Sequence, residues 1–97
     1  MATYIGLCSW TQQGIADLKG SPGRLDAARA AFSALGAELK GFFMTMGHYD
    51  MVVIAEAPDD ATMAKALLAV VSGGGLRTET LKAFTEDEYR EIIGSLP

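Results

Sequence analysis

The run Met46-Gly47-His48-Tyr49-Asp50 brings a glycine, an imidazole, a phenol and a carboxylate together in one short segment. Histidine has the one side chain whose ordinary pKa lies near neutrality, so His48 suits proton transfer or metal ligation. The Asp50 carboxylate suits a general base. A plain hairpin accounts for the same residues. Glycine makes the turn, tyrosine favours strands, and aspartate accepts hydrogen bonds from nearby backbone N–H groups. Adjacent strand residues point to opposite faces, so Tyr49 and Asp50 are not expected to share one site.

Arg77-Thr78-Glu79-Thr80 is a second polar run. Arg77 and Glu79 are two apart and share a face. Inside a closed cavity, Glu79 would serve as a base, and Arg77 would hold a carboxylate or a developing oxyanion. At a sheet edge the two form a solvated ion pair. Trp10 ends an apolar run beside Thr11-Gln12-Gln13, and its indole N–H needs a partner when buried. It reads either as the rim of the core or as one wall of a pocket. The candidate ligand-binding residues are therefore Trp10, Tyr49, Arg77, Thr78 and Thr80. The candidate catalytic residues are Asp50, Glu79 and Arg77.

His48 is the only histidine, and no cysteine or carboxylate stands at ligand spacing from it, so no metal site is expected. If a metal or haem were bound, His48 would be the residue to hold it. Met44, Met46, Met51 and Cys8 have the softness for copper, but core packing explains them as well. Ser72-Gly73-Gly74-Gly75 follows a helix and precedes a strand, the reverse of the order a phosphate loop needs. No Ser-His-Asp arrangement emerges.

These residues need elements to carry them. Residues 2–10 read as a strand, and 11–18 as a connector with one helical turn. Ser21 is placed to cap a helix with Pro22 at its first position, an apolar face through Leu25, Ala28, Phe32 and Leu35, and Gly36 as its stop. Strands follow over 38–46 and 49–57, joined by a two-residue turn at Gly47-His48. Pro58-Asp59-Asp60 opens a second helix whose inward face is Met63, Leu67, Val70 and Val71. Residues 76–84 form a polar edge strand, and Thr85 to Glu88 form a capping box before a short terminal helix. The order is that of an α+β, ferredoxin-like β-α-β-β-α-β domain, with a four-stranded antiparallel sheet and two helices on one face.

Three of the strands are apolar on both alternating faces, as in Tyr4-Ile5-Gly6-Leu7-Cys8, Phe42-Phe43-Met44 and Met51-Val52-Val53-Ile54-Ala55. A strand with one face in water would alternate. Two helices cover one face only, so a second copy is expected over the other, giving a homodimer or a higher oligomer. The chain is 97 residues, one domain, 49% hydrophobic with a net charge of -4. Acidic balance and scattered basic residues exclude a nucleic-acid partner. No apolar run is long enough to span a bilayer, and no signal peptide is seen at the start, so a cytoplasmic protein with a reduced Cys8 is expected.

The chain resembles the GYD-domain family of small bacterial and archaeal proteins. The likeness rests on Thr3-Tyr4-Ile5, Trp10-Thr11-Gln12-Gln13-Gly14-Ile15 and Ser21-Pro22-Gly23-Arg24. It continues in Gly47-His48-Tyr49-Asp50, in Glu56-Ala57-Pro58-Asp59-Asp60 and in the stretch from Arg77 to Thr85. The resemblance implies a dimeric α/β barrel and brings no reaction with it. It adds weight to Trp10, Tyr49, Asp50 and the Arg77 to Thr80 run. The function expected is a small-ligand-binding or regulatory module with a cavity between two sheets, and no cofactor is assigned. By analogy of fold, the alternatives are a cofactor-free oxygenase or isomerase, and haem or metal binding through His48.

Overall fold

The computed structural model describes residues 1–97. It contains β1 (Ala2–Trp10), α1 (Gln12–Ala16), a 3-10 turn (Leu18–Gly20), α2 (Ser21–Ala34), β2 (Glu38–Met44), β3 (Met51–Ala57), α3 (Asp60–Val71), β4 (Leu76–Ala83) and α4 (Glu86–Gly94). The strands form one antiparallel sheet in the order β2-β3-β1-β4. This is the ferredoxin-like arrangement, and β4 is an edge strand as its polarity predicts.

Register assigns the faces. Cys8 pairs with Met51 and Thr78, and Leu7 with Val52 and Glu79. Tyr4, Cys8, Met51 and Ala55 therefore face the helices and are buried, together with Phe32, Met63 and Ala66. Ile5, Leu7, Val52, Ile54 and Leu81 face the other way, where no helix lies. On that open face Phe43 is 58% exposed, Leu81 47% and Ile54 36%. The two-sided apolar pattern thus describes a sheet covered by helices on one side only.

Two local expectations are corrected. Ser21 does not cap α2: the N-cap is Gly20 without a side-chain bond, and the Ser21 hydroxyl accepts from Trp10 Nε1 at 3.3 Å. The hairpin is wider than a two-residue turn, because β2 ends at Met44 and β3 starts at Met51. Thr45 Oγ1 donates to the Tyr49 carbonyl at 2.6 Å, and the Asp50 N–H donates to the Cys8 carbonyl at 2.9 Å. The Thr45 N–H also donates to the Asp50 carbonyl at 2.8 Å, so Asp50 is tied to both neighbouring segments, and Gly47 takes a φ of 144° inside the wider loop.

Three helices start on side-chain caps, and that of α4 is the capping box expected from sequence. Asp59 accepts from the Thr62 N–H at 2.8 Å and starts α3. Thr85 and Glu88 cap α4 reciprocally. Thr11 starts α1 by accepting from the Gly14 N–H at 3.1 Å.

Candidate functional site

A cavity of about 300 Å³ lies between the helix-facing side of the sheet and helices α2 and α3. The sheet supplies Gly6, Cys8, Phe42, Met51, Val53 and Thr78. The helices supply Leu25, Ala28, Phe32, Met63, Leu67 and Val70. Gly6 is what keeps the sheet wall low: a Cβ there would meet Val53 Cγ2 at 2.7 Å. Apolar side chains make up 17 of the 23 lining residues, so the lining is mainly apolar.

One end of the cavity is tied shut by the α3–β4 turn. Thr11 Oγ1 donates to the Gly74 carbonyl at 2.6 Å, and Gln13 Nε2 to the Gly73 carbonyl at 3.1 Å. Gly14 of α1 sits so close to this turn that a Cβ would lie 2.1 Å from the Gly75 oxygen. Trp10, Ser21 and Arg24 line the cavity with Gly73 and Gly75. Arg24 is already engaged, donating to the carbonyls of Asp17 at 2.8 Å and Gly14 at 3.2 Å.

The polar atoms of the lining are few. Cys8 Sγ lies 3.7 Å from Thr78 Oγ1, which lies 3.1 Å from Thr80 Oγ1. Burial pushes the Cys8 thiol pKa up, with the Thr78 contact opposing, so the protonated thiol is favoured and a thiolate nucleophile is not.

The sequence candidates divide between the two sides of the sheet. Trp10 and Thr78 line the cavity. Thr80 shares their face and borders a shallow depression with Tyr4, Asp60 and Lys82. Arg77 and Glu79 stand on the open face, and the Tyr49 hydroxyl donates to the Glu79 carboxylate there. That bond raises the Tyr49 pKa. Asp50 has a different partner: its Oδ2 accepts the Trp10 backbone N–H at 3.0 Å. Asp50 is therefore brought to Trp10, while Glu79 and Arg77 stand on the open face. His48 is exposed in the loop with its ring edge-on to Tyr49, centroids 5.0 Å apart.

The sequence model of the GYD domain matches residues 4–93. The chain belongs to the GYD-domain family. A relative from Thermus thermophilus, named glutamine synthetase and cystathionine beta-lyase binding protein, is 33% identical over 84 residues, 86% of this chain and 88% of the relative. A crystal structure from the same organism is similar in fold, with a TM-score of 0.57 at 24% identity, covering 88% of this chain and 95% of that one. The M. tuberculosis feast or famine regulatory protein, solved with L-methionine, gives a TM-score of 0.64 at 13% identity. It is covered over 54% of its length, against 90% of this chain. Both structures bear on the fold alone.

In this GYD domain the tyrosine of the namesake motif bonds on the open face of the sheet and the aspartate at the end of β1. A third polar cluster joins the sheet to α3. Tyr4 donates to Asp60 Oδ1 at 2.5 Å, and Lys82 Nζ lies 3.0 Å from the same carboxylate. The bond to Asp60, with burial and the adjacent negative charge, pushes the Tyr4 pKa up to about 12. The same two partners, Tyr4 first and then Lys82, hold the Asp60 carboxyl below its ordinary range.

Several lining residues of the GYD domain escaped sequence reasoning, chiefly Gly6, Ser21, Ala28 and Met51. A glycine within a strand was the available signal for Gly6, since it marks a bulge or a close approach. No helix is long and apolar enough to cross a membrane.

Proposed function

We propose that this GYD domain is a ligand-binding regulatory module that works as a homodimer. The cavity of about 300 Å³ beneath α2 and α3 carries the reading. It is a half-open cleft whose floor and walls are apolar side chains of the core, in a domain of only 97 residues. Its apolar walls and few polar atoms suit retention of a small molecule more than chemistry upon it. This replaces the expectation of a ligand between two sheets with a ligand inside each subunit.

The apolar open face, with Phe43, Ile54 and Leu81 exposed, supports pairing of two sheets face to face. Tyr49, Glu79 and Arg77 then lie at that interface rather than in the ligand site. The Thermus relative is named for binding two metabolic enzymes. That name supports a regulatory output delivered by docking on other proteins.

Native mass spectrometry of untagged protein taken from its own host tests the proposal. The expected species is a dimer carrying additional non-covalent mass. A monomer would overturn the assembly. A dimer that never carries such mass and takes up none from a metabolite extract would overturn the ligand-binding role.

A further inference from the structure

Resting on that reading of the cavity, we propose that its ligand is uncharged, close to two fused rings in size, and carries one oxygen that accepts a hydrogen bond. Three observations lead there.

The first is charge. Arg24 is the only ionisable side chain among the lining residues apart from the Cys8 thiol. Its guanidinium is occupied by Asp17 and by the Gly14 carbonyl. No carboxylate lines the cavity, so nothing there would hold an ammonium group. An anion would have to compete with Asp17 for the one guanidinium, and a cation would find no carboxylate.

The second is hydrogen-bond arithmetic. A hydroxyl has one proton to give. Ser21 Oγ accepts from Trp10 Nε1, and its own proton has no acceptor in the protein. Thr78 and Thr80 share one bond, which uses one of their two protons. With Thr80 as donor, the Thr78 proton is free to point into the cavity that Thr78 lines. The site thus offers the Ser21 hydroxyl, and in that arrangement the Thr78 hydroxyl, to a ketone, ether or hydroxyl oxygen.

The third is size. A dry cavity of about 150 Å³ holds one benzene ring. This one, at about 300 Å³, has room for twice that volume.

The test is isothermal titration of the full-length protein with 2-naphthol, 2-naphthoate and L-methionine at neutral pH. Thermal unfolding is followed alongside. The expected result is that 2-naphthol binds and raises the melting temperature, with 2-naphthoate and L-methionine weaker by more than about tenfold. Ala28→Leu, which fills the cavity, is expected to remove 2-naphthol binding while the domain still unfolds cooperatively. Thr78→Val is expected to narrow the preference for 2-naphthol over naphthalene, up to about tenfold, the range of one lost neutral hydrogen bond. Binding of 2-naphthoate or L-methionine as tight as that of 2-naphthol would overturn the uncharged-ligand inference and leave the binding role intact. Failure of all the probes to bind at millimolar concentration would overturn both. Binding of 2-naphthol unchanged in Ala28→Leu would place the site elsewhere and overturn the inference.

Discussion

Tyr49 and Glu79 meet across the open face of the sheet, the phenol donating from the loop before β3 to a carboxylate on β4, with β1 between them. The next residue, Asp50, turns to the strand end instead and accepts the Trp10 N–H. Two neighbours in one motif therefore do separate work. Tyr49 is fixed to the open face through Glu79. Asp50 joins the β2–β3 loop to the end of β1, close to the cavity that Trp10 lines.

Asp50→Ala removes the acceptor of the Trp10 N–H, while the Asp50 backbone bond to Cys8 remains. An unpaired, partly buried donor costs about 1–3 kcal/mol. For a domain of this size each kcal/mol lowers the melting temperature by roughly 4–8 °C. Thermal unfolding should show a loss in that range, and Asp50→Asn, which keeps an acceptor, should recover part of it. A melting temperature unchanged in Asp50→Ala would mean that the bond contributes nothing to stability.

Leu81 and Ile54 are exposed on the uncovered face and opposed to Ile5 in the register. If two copies pair there, Leu81→Glu buries an unpaired carboxylate at the interface. Sedimentation should show the dimer dissociation constant raised by about a hundredfold or more. The isolated subunit should keep its fold, since the substituted position is already exposed. A variant as dimeric as the parent would remove this face from the assembly.

Much of the architecture was legible because it depends on local rules. Alternation assigned Arg77 and Glu79 to one face of β4, and the register agrees. The Thr85–Glu88 capping box lies within one turn and needs no tertiary information. What sequence reasoning missed depends on partners distant in the chain. Ser21 carries the right side chain for a helix cap, but Trp10 takes its hydroxyl. Gly47-His48 suits a tight turn, but Asp50 bonds with β1, accepting from Trp10 and donating to Cys8, and the loop is wider. The cavity was invisible for a related reason. An apolar stripe such as Leu25, Ala28 and Phe32 has the same spacing whether the space before it is filled or open. Only when β1 is registered against β3 does Gly6 face Val53 and its missing side chain become a matter of volume.

Stability should fall at both ends of the pH scale. Backbone bonds from Thr62 and Thr85 lower the pKa values of Asp59 and Glu88, and the Tyr4 bond lowers that of Asp60. A depressed folded pKa adds stability that is complete above the unfolded value, about 4, and is lost as the pH falls through the folded one. For Tyr4 the sign is reversed. Its folded pKa is raised to about 12. That contribution is complete below about 10, the unfolded value, and is lost as the pH rises toward the folded one. Melting temperatures measured across pH should therefore drop at both extremes. Tyr4→Phe should flatten the alkaline fall and weaken the acid one, because Asp60 loses its first partner. An alkaline limb unchanged in Tyr4→Phe would count against the Tyr4–Asp60 bond.

Thr85→Ala separates local from global stability. Thr85 accepts the Glu88 N–H at 3.2 Å, and Glu88 accepts the Thr85 N–H at 2.8 Å. Loss of a threonine cap costs roughly 0.5–2 kcal/mol. Tyr89, Ile92 and Ile93 on α4 are all exposed, so this helix contributes little to the core that sets the melting temperature. Amide exchange should therefore quicken in the first turns of α4, at Glu88 and Tyr89, by about two- to thirtyfold. Exchange at Tyr4 and Ala55 in the core strands should stay as it was, and the melting temperature should barely move. If core amides quicken along with those of α4, the terminal helix belongs to the same cooperative unit as the sheet, and its exposed apolar residues are held by the body after all.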